Sequence, residues 1–144
     1  MKLVLSIAAA LIVPCGLACA QSAPDKPPSL SQAFPYEQMS VVTNPNGTER
    51  RMVFNGVMAT GEAVGVHEST QPVGAPAPQL HSIQHSEIIV VRQGTIEFLH
   101  DGKADRLGPG SVAYVAFGTQ HAIKNAGDVP AQYVVIQIGG DTKK

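Results

Sequence analysis

At 144 residues the chain has room for one domain with a buried core. Its formal charge of −1, with no basic patch and no charge run, argues against nucleic acid and against an anionic membrane surface as partners. Aromatics are few and tryptophan is absent, whereas Val, Ile, Ala, Gly and Pro are frequent, which suits short strands and tight turns better than a helical bundle.

The first twenty residues, MKLVLSIAAALIVPCGLACA, have the three parts of a secretory signal. Lys2 opens it, an apolar stretch covers residues 3–13, and Ala18 and Ala20 are placed for cleavage after Ala20. The stretch is too short to cross a bilayer comfortably, so no stable membrane anchor is expected. A lipoprotein alternative uses Cys19 as acyl acceptor, but Gly16 stands where a larger aliphatic residue is expected. The expectation is a secreted or periplasmic protein. Cys15 and Cys19 both fall inside the signal, so the mature chain would carry neither disulfide nor thiol chemistry.

Residues 21–35, QSAPDKPPSLSQAFP, hold four prolines and little periodicity. They read as an extended arm or linker, one able to lie across a partner subunit. Residues 36–144 form the single folded domain. Strands are expected over residues 37–42, 51–58, 62–70, 88–92, 95–100, 103–107, 111–115, 121–124 and 131–139. Asn46-Gly47 and Asp101-Gly102 mark hairpin turns, and residues 71–79 form a Pro-rich loop. No window carries a helical stripe. Short strands at this spacing indicate an all-β sandwich or jelly-roll barrel.

The chemistry concentrates in residues 79–94, QLHSIQHSEIIVVRQG. On an extended chain His81, Ile83, His85 and Glu87 share one face. Neighbouring same-face positions are then ~6.6 Å apart, close enough to converge on one ion, whereas His81 and Glu87 would be ~20 Å apart unless the chain bends near Ile83 or Gln84. His85, Glu87 and His121 need no such bend if His121 comes from a neighbouring strand. Two imidazoles and a carboxylate suit Mn, Fe or Zn as a divalent ion with open coordination positions. His67 and Glu68 are expected near a strand end at the surface. His100 is expected to face solvent at its hairpin, and Asn125 to serve a turn.

Two segments resemble the paired motifs of the cupin superfamily: His81-x5-Glu87-x6-Gly94, and Gly110-x7-Gly118-x2-His121-x3-Asn125. The family patterns are G-x5-H-x-H-x3,4-E-x6-G and G-x5-P-x-G-x2-H-x3-N, and the resemblance spans roughly residues 52–139. It implies a cupin jelly-roll barrel, or double-stranded β-helix, that often pairs as a homodimer. It also implies metal ligands at His81, Glu87 and His121. Two positions depart from the pattern: Ala116 replaces the proline of the second motif, and Ile83 replaces the second histidine of the first. His85 is extra, and is the candidate to compensate. The full candidate metal set is therefore His81, His85, Glu87 and His121.

Three functions remain open at this level. One is a metal-dependent enzyme acting on a small organic molecule by oxygenation, isomerisation or lyase chemistry. Another is a metal-free module binding a sugar or small organic acid. The third is a structural β-sandwich whose motif matches are accidental. Fold alone does not choose among them.

Overall fold

The computed structural model describes residues 31–76 and 78–140. The expected signal (residues 1–20, with both cysteines) and residues 21–30 of the arm lie outside the described residues.

A short 3-10 turn, Tyr36–Gln38, precedes ten strands: β1 Val41–Thr43, β2 Glu49–Val57, β3 Ala63–Gln71, β4 His81–Ser82, β5 Ser86–Gln93, β6 Ile96–His100, β7 Lys103–Leu107, β8 Val112–Val115, β9 Gln120–Asn125 and β10 Ala131–Ile138. They form a six-stranded sheet in the order β1-β2-β3-β10-β5-β8 and a four-stranded sheet in the order β4-β9-β6-β7. All the strand pairs are antiparallel. This is the all-β jelly-roll that the cupin resemblance implies, one of the two architectures that the strand spacing allowed. Among the described residues no helix is long and apolar enough to cross a membrane.

The core follows from alternation along each strand. In β5, Glu87, Ile89 and Val91 turn inward while Ile88 and Val90 lie outward and half-buried. Val115, Ala131 and Val135 join them from the large sheet, and Ile83, Ile96, Phe98 and Ile123 face them from the other side. Ile89, Val91, Ile96 and Val115 are almost fully withdrawn from water. Each such side chain contributes ~1.5–3 kcal/mol of transfer free energy.

Gly94 carries the chain from the large sheet to the small one. Its φ is +72°, and a Cβ there would stand 2.7 Å from the Pro130 carbonyl oxygen and 2.9 Å from Ala131 Cα. Only glycine fits that crossing.

Two expectations are corrected here. Residues 37–42 are not one strand: the 3-10 turn comes first, with the Arg51 guanidinium 4.4 Å from the centre of the Tyr36 ring. Phe34, at the end of the proposed arm, has its ring 5.9 Å from that of Phe54. This part of the arm therefore packs on β2 of its own chain. The second correction is β4, which has only two residues, too few to show a period in sequence. It pairs with β9, His81 opposite His121, and the chain then bends at Gln84 and His85 into β5.

Candidate functional site

The bend is what gathers the site. Residues 81–87 do not run straight, so His81 belongs to the small sheet and Glu87 to the large one. Gly140, with φ +54°, lies so close to the backbone of Gln84 and His85 that a Cβ would collide with the Gln84 carbonyl oxygen. That packing helps hold His85 beside β5. His121 comes from β9 in the facing sheet rather than from a strand neighbouring β5, a correction to the simplest extended reading.

The structure brings together three of the four expected residues. His85 Nε2 is 3.0 Å from Glu87 Oε1, and His121 Nε2 is 3.3 Å from Glu87 Oε2. All three are buried. Gln137, on β10, donates from Nε2 to Glu87 Oε1 at 3.2 Å and stands 3.1 Å from His85 Nε2. His121 Nδ1 donates to the Thr119 carbonyl at 3.2 Å, which turns Nε2 toward the carboxylate. The fourth residue, His81, is exposed. Its ring lies 4.6 Å from that of His121, and its Nδ1 donates to the Gln79 carbonyl at 3.3 Å. Ile83 is buried in the hydrophobic cluster and also lines the cavity, so the position where the resemblance calls for a second histidine is an apolar wall.

Burial by itself would raise the Glu87 carboxyl. Hydrogen bonds from His121, His85 and Gln137, together with the charge of His121, outweigh it and hold Glu87 at about 2. The same contact acts on His121: burial opposes its charge, but the bonds to Glu87 and the Thr119 carbonyl leave its pKa raised. Glu87 and His121 therefore favour an ion pair in the absence of any other partner.

As placed, these donors clasp one another. Among the described residues no group of three or more His, Cys, Asp and Glu side chains is arranged to hold an ion. The donor chemistry nevertheless fits one. Two imidazole nitrogens and a carboxylate are a borderline N/O set, and the Thr119 carbonyl fixes the His121 tautomer that a ligand needs.

Glu87 and His121, with His81 and Gln137, form one side of a cavity of about 290 Å³. Its other walls include residues that sequence reasoning did not single out or placed elsewhere. His67 was expected at the surface and is instead buried in mid-β3, on the inner face with Ser69 and Gln71. Arg50, opposite Ser69 in β2, donates from Nη2 to His67 Nδ1 at 3.1 Å. Burial and then the Arg50 guanidinium push His67 down to about 3, so the ring is neutral with its proton on Nε2. Burial also raises the Tyr133 phenol to about 12. A signal for His67 was present in sequence: it shares parity with Ala63 and Gly65, small residues suited to a strand face turned inward.

The remaining candidates sit outside the cavity walls. His100 stacks on Phe98 at 4.4 Å and bonds Asp105 at 2.8 Å and Asp101 at 3.2 Å. Glu68 pairs with Arg92 at 2.7 Å. Asn125 has the expected turn role: its Nδ2 donates to the carbonyls of Gln71 and Val129, and its Oδ1 accepts from Gly127 N.

Comparison with known proteins agrees with the fold. Residues 67–137 match the family described as Cupin domain. No curated protein matches the sequence. Among solved structures, an RmlC-like cupin from Shewanella frigidimarina is similar at 19% identity and TM-score 0.63, over 77% of this chain and 94% of that one. KdgF from a Halomonas species is similar at 18% identity and TM-score 0.62, over 74% and 94%. A predicted oxalate decarboxylase from Thermotoga maritima is similar at 17% identity and TM-score 0.57, over 74% and 98%. At these identities the likeness speaks for the fold alone. The chain belongs to the cupin superfamily, as a small member.

Proposed function

We propose that the barrel mouth is a small-molecule site in which His85, Glu87 and His121 hold one divalent metal ion of the Mn, Fe or Zn type. The observation that carries this reading is the pair of buried imidazole Nε2 atoms facing the two oxygens of one carboxylate, at 3.0 and 3.3 Å. Bound there, the ion would act as a Lewis acid toward an oxygen atom of the small molecule. The chain's own residues do the rest. Thr119 orients His121, Gln137 steadies Glu87, and Ile83 and Ile123 give the cavity an apolar flank. His81, beside His121 at the exposed rim, is an additional donor within the reach of a small shift.

One observation favours a second, metal-free reading. Gln137 and the two imidazoles already occupy both Glu87 oxygens, leaving a complete hydrogen-bonded group. In that case the triad is a polar anchor for a sugar or organic acid. Metal analysis of protein purified without chelator separates the two readings. The metal reading expects close to one ion per chain, lost in Glu87→Ala and His121→Ala. Absence of metal from the wild type, even after incubation with Mn, Fe or Zn salts, selects the metal-free anchor.

Export and pairing belong to the same proposal. Cleavage after Ala20 is tested by N-terminal sequencing of the exported protein, and a lipid-bearing N-terminus at Cys19 would overturn it. A homodimer would cover the exposed Val112 and Tyr114 on the edge strand β8. A monomeric mass in light scattering at micromolar concentration would refute it.

A further inference from the structure

The cavity has a second polar wall that the His85–Glu87–His121 group does not use. On it stand Arg50, His67, Thr48 and Gln71, from β2, β3 and the turn before β2. Arg50 differs from its neighbours in sequence and space. Arg51 pairs with Glu49 at 2.9 Å, Arg92 with Glu68 at 2.7 Å and Lys124 with Glu97. Among the described residues no carboxylate stands within ion-pair distance of Arg50. Its side-chain bond to His67 Nδ1 is to a neutral acceptor.

Among the described residues, three buried polar atoms of this wall have no hydrogen-bond partner: Thr48 Oγ1, Arg50 Nε and Gln71 Oε1. Such atoms cost ~1–3 kcal/mol each when left unmade, and in native proteins they commonly mark a missing ligand, ion or water. Two of them can donate and one can only accept. The His67 Nε2–H, locked in place by the Arg50 contact, adds another donor on the same wall. A guanidinium with no carboxylate in ion-pair contact, a hydroxyl and an imidazole N–H match a carboxylate, which offers two oxygens and about four lone pairs. The lone acceptor, Gln71 Oε1, calls for a ligand O–H.

We infer that Arg50, with Thr48 and His67, forms the carboxylate subsite of the cavity, and that the molecule it takes is a small hydroxycarboxylic acid. At about 290 Å³ the cavity accommodates an acid of a few carbons. With its carboxylate on Arg50, the far end of such an acid faces Glu87 and His121, and the Glu87 charge acts on Arg50 across the same space. The inference rests on the reading of the cavity as a small-molecule site. It does not depend on whether the triad holds a metal.

The test is isothermal titration of lactate and malate, with neutral lactamide as control, into native and chelator-stripped protein. The wild type should bind at least one of the acids in both states, and lactamide at least ~10-fold more weakly than lactate. Arg50→Gln should weaken the acid by ~10-fold or more. Arg50→Lys, which keeps charge but loses the fork, should fall between the two. Thr48→Val, a mild change, should weaken binding severalfold, and it decides the matter if circular dichroism shows Arg50→Gln unfolded. Metal content is measured on the same samples and should not change in any of these variants. Failure of both acids to bind the wild type, or equal affinity in Arg50→Gln, overturns the subsite. Metal retained under those results leaves the triad reading standing, whereas acid binding through Arg50 without metal leaves only the subsite.

Discussion

Acid should destabilise this protein through His67 well before it reaches the carboxylates. Folded, the ring is buried and accepts a hydrogen bond from Arg50, which lowers its pKa from 6.5 to about 3. Unfolded, it takes up a proton near its ordinary value. A group with a depressed folded pKa contributes stability that is complete above the unfolded value and lost as pH falls toward the folded one. The window here is therefore pH 6.5 to 3. At ~1.4 kcal/mol per pH unit below 6.5, His67 alone should remove ~2 kcal/mol between pH 7 and pH 5. His67→Asn presents an oxygen in place of Nδ1 for Arg50 but does not titrate. Urea unfolding of chelator-treated protein at pH 7, 6 and 5 measures the difference, and chelation removes any contribution from ion loss. The variant should lose ~2 kcal/mol less than the wild type over that range. Equal losses in the two proteins would refute the buried, neutral assignment of His67.

Three further outcomes follow from the same contacts. Asn125→Ala removes the side chain that ties Gln71 and Val129 to the turn at Gly127, and should cost ~2–3 kcal/mol of unfolding free energy, read by denaturant titration. Metal affinity should fall as pH drops, beginning above pH 6.5, because the raised pKa of His121 makes the proton a stronger competitor there; an affinity flat between pH 8 and pH 5 in competitive chelator titrations would contradict His121 as a ligand. Ile83→His should lower the stability of metal-free protein, since Ile83 sits in the apolar cluster, yet raise metal affinity by restoring a fourth donor; the Tm shift on adding metal should exceed that of the wild type.

Legibility in the sequence tracked the range of the determining interaction. Alternation in SEIIVVRQ and the turn residues Asn46-Gly47 and Asp101-Gly102 act locally, so most strands and hairpins could be placed from sequence. The spacing from Glu87 to Gly94 and from Gly118 to His121 carried the fold because Gly94 has no room for a side chain against Pro130. The bend at Gln84 and His85 depends on Gly140, more than fifty residues away, and β4 exists only through its pairing with β9. His67 resisted for a similar reason. Its neighbour Glu68 and the threonine and serine beyond it look like a solvated strand end, while the partner that makes its burial possible, Arg50, lies on another strand. Gln137 became part of the site only when β10 paired beside β5.

The central claim, that His85, Glu87 and His121 form a metal centre in the barrel mouth, is tested most directly by a crystal structure of protein soaked in Mn or Zn salt, with data collected for anomalous scattering. The account predicts one strong peak among His85 Nε2, His121 Nε2 and the Glu87 carboxylate, with both imidazoles turned from hydrogen bonding toward the ion. A site without a peak at millimolar metal, with the two imidazoles still bonded to Glu87 and Gln137 between them, would contradict it.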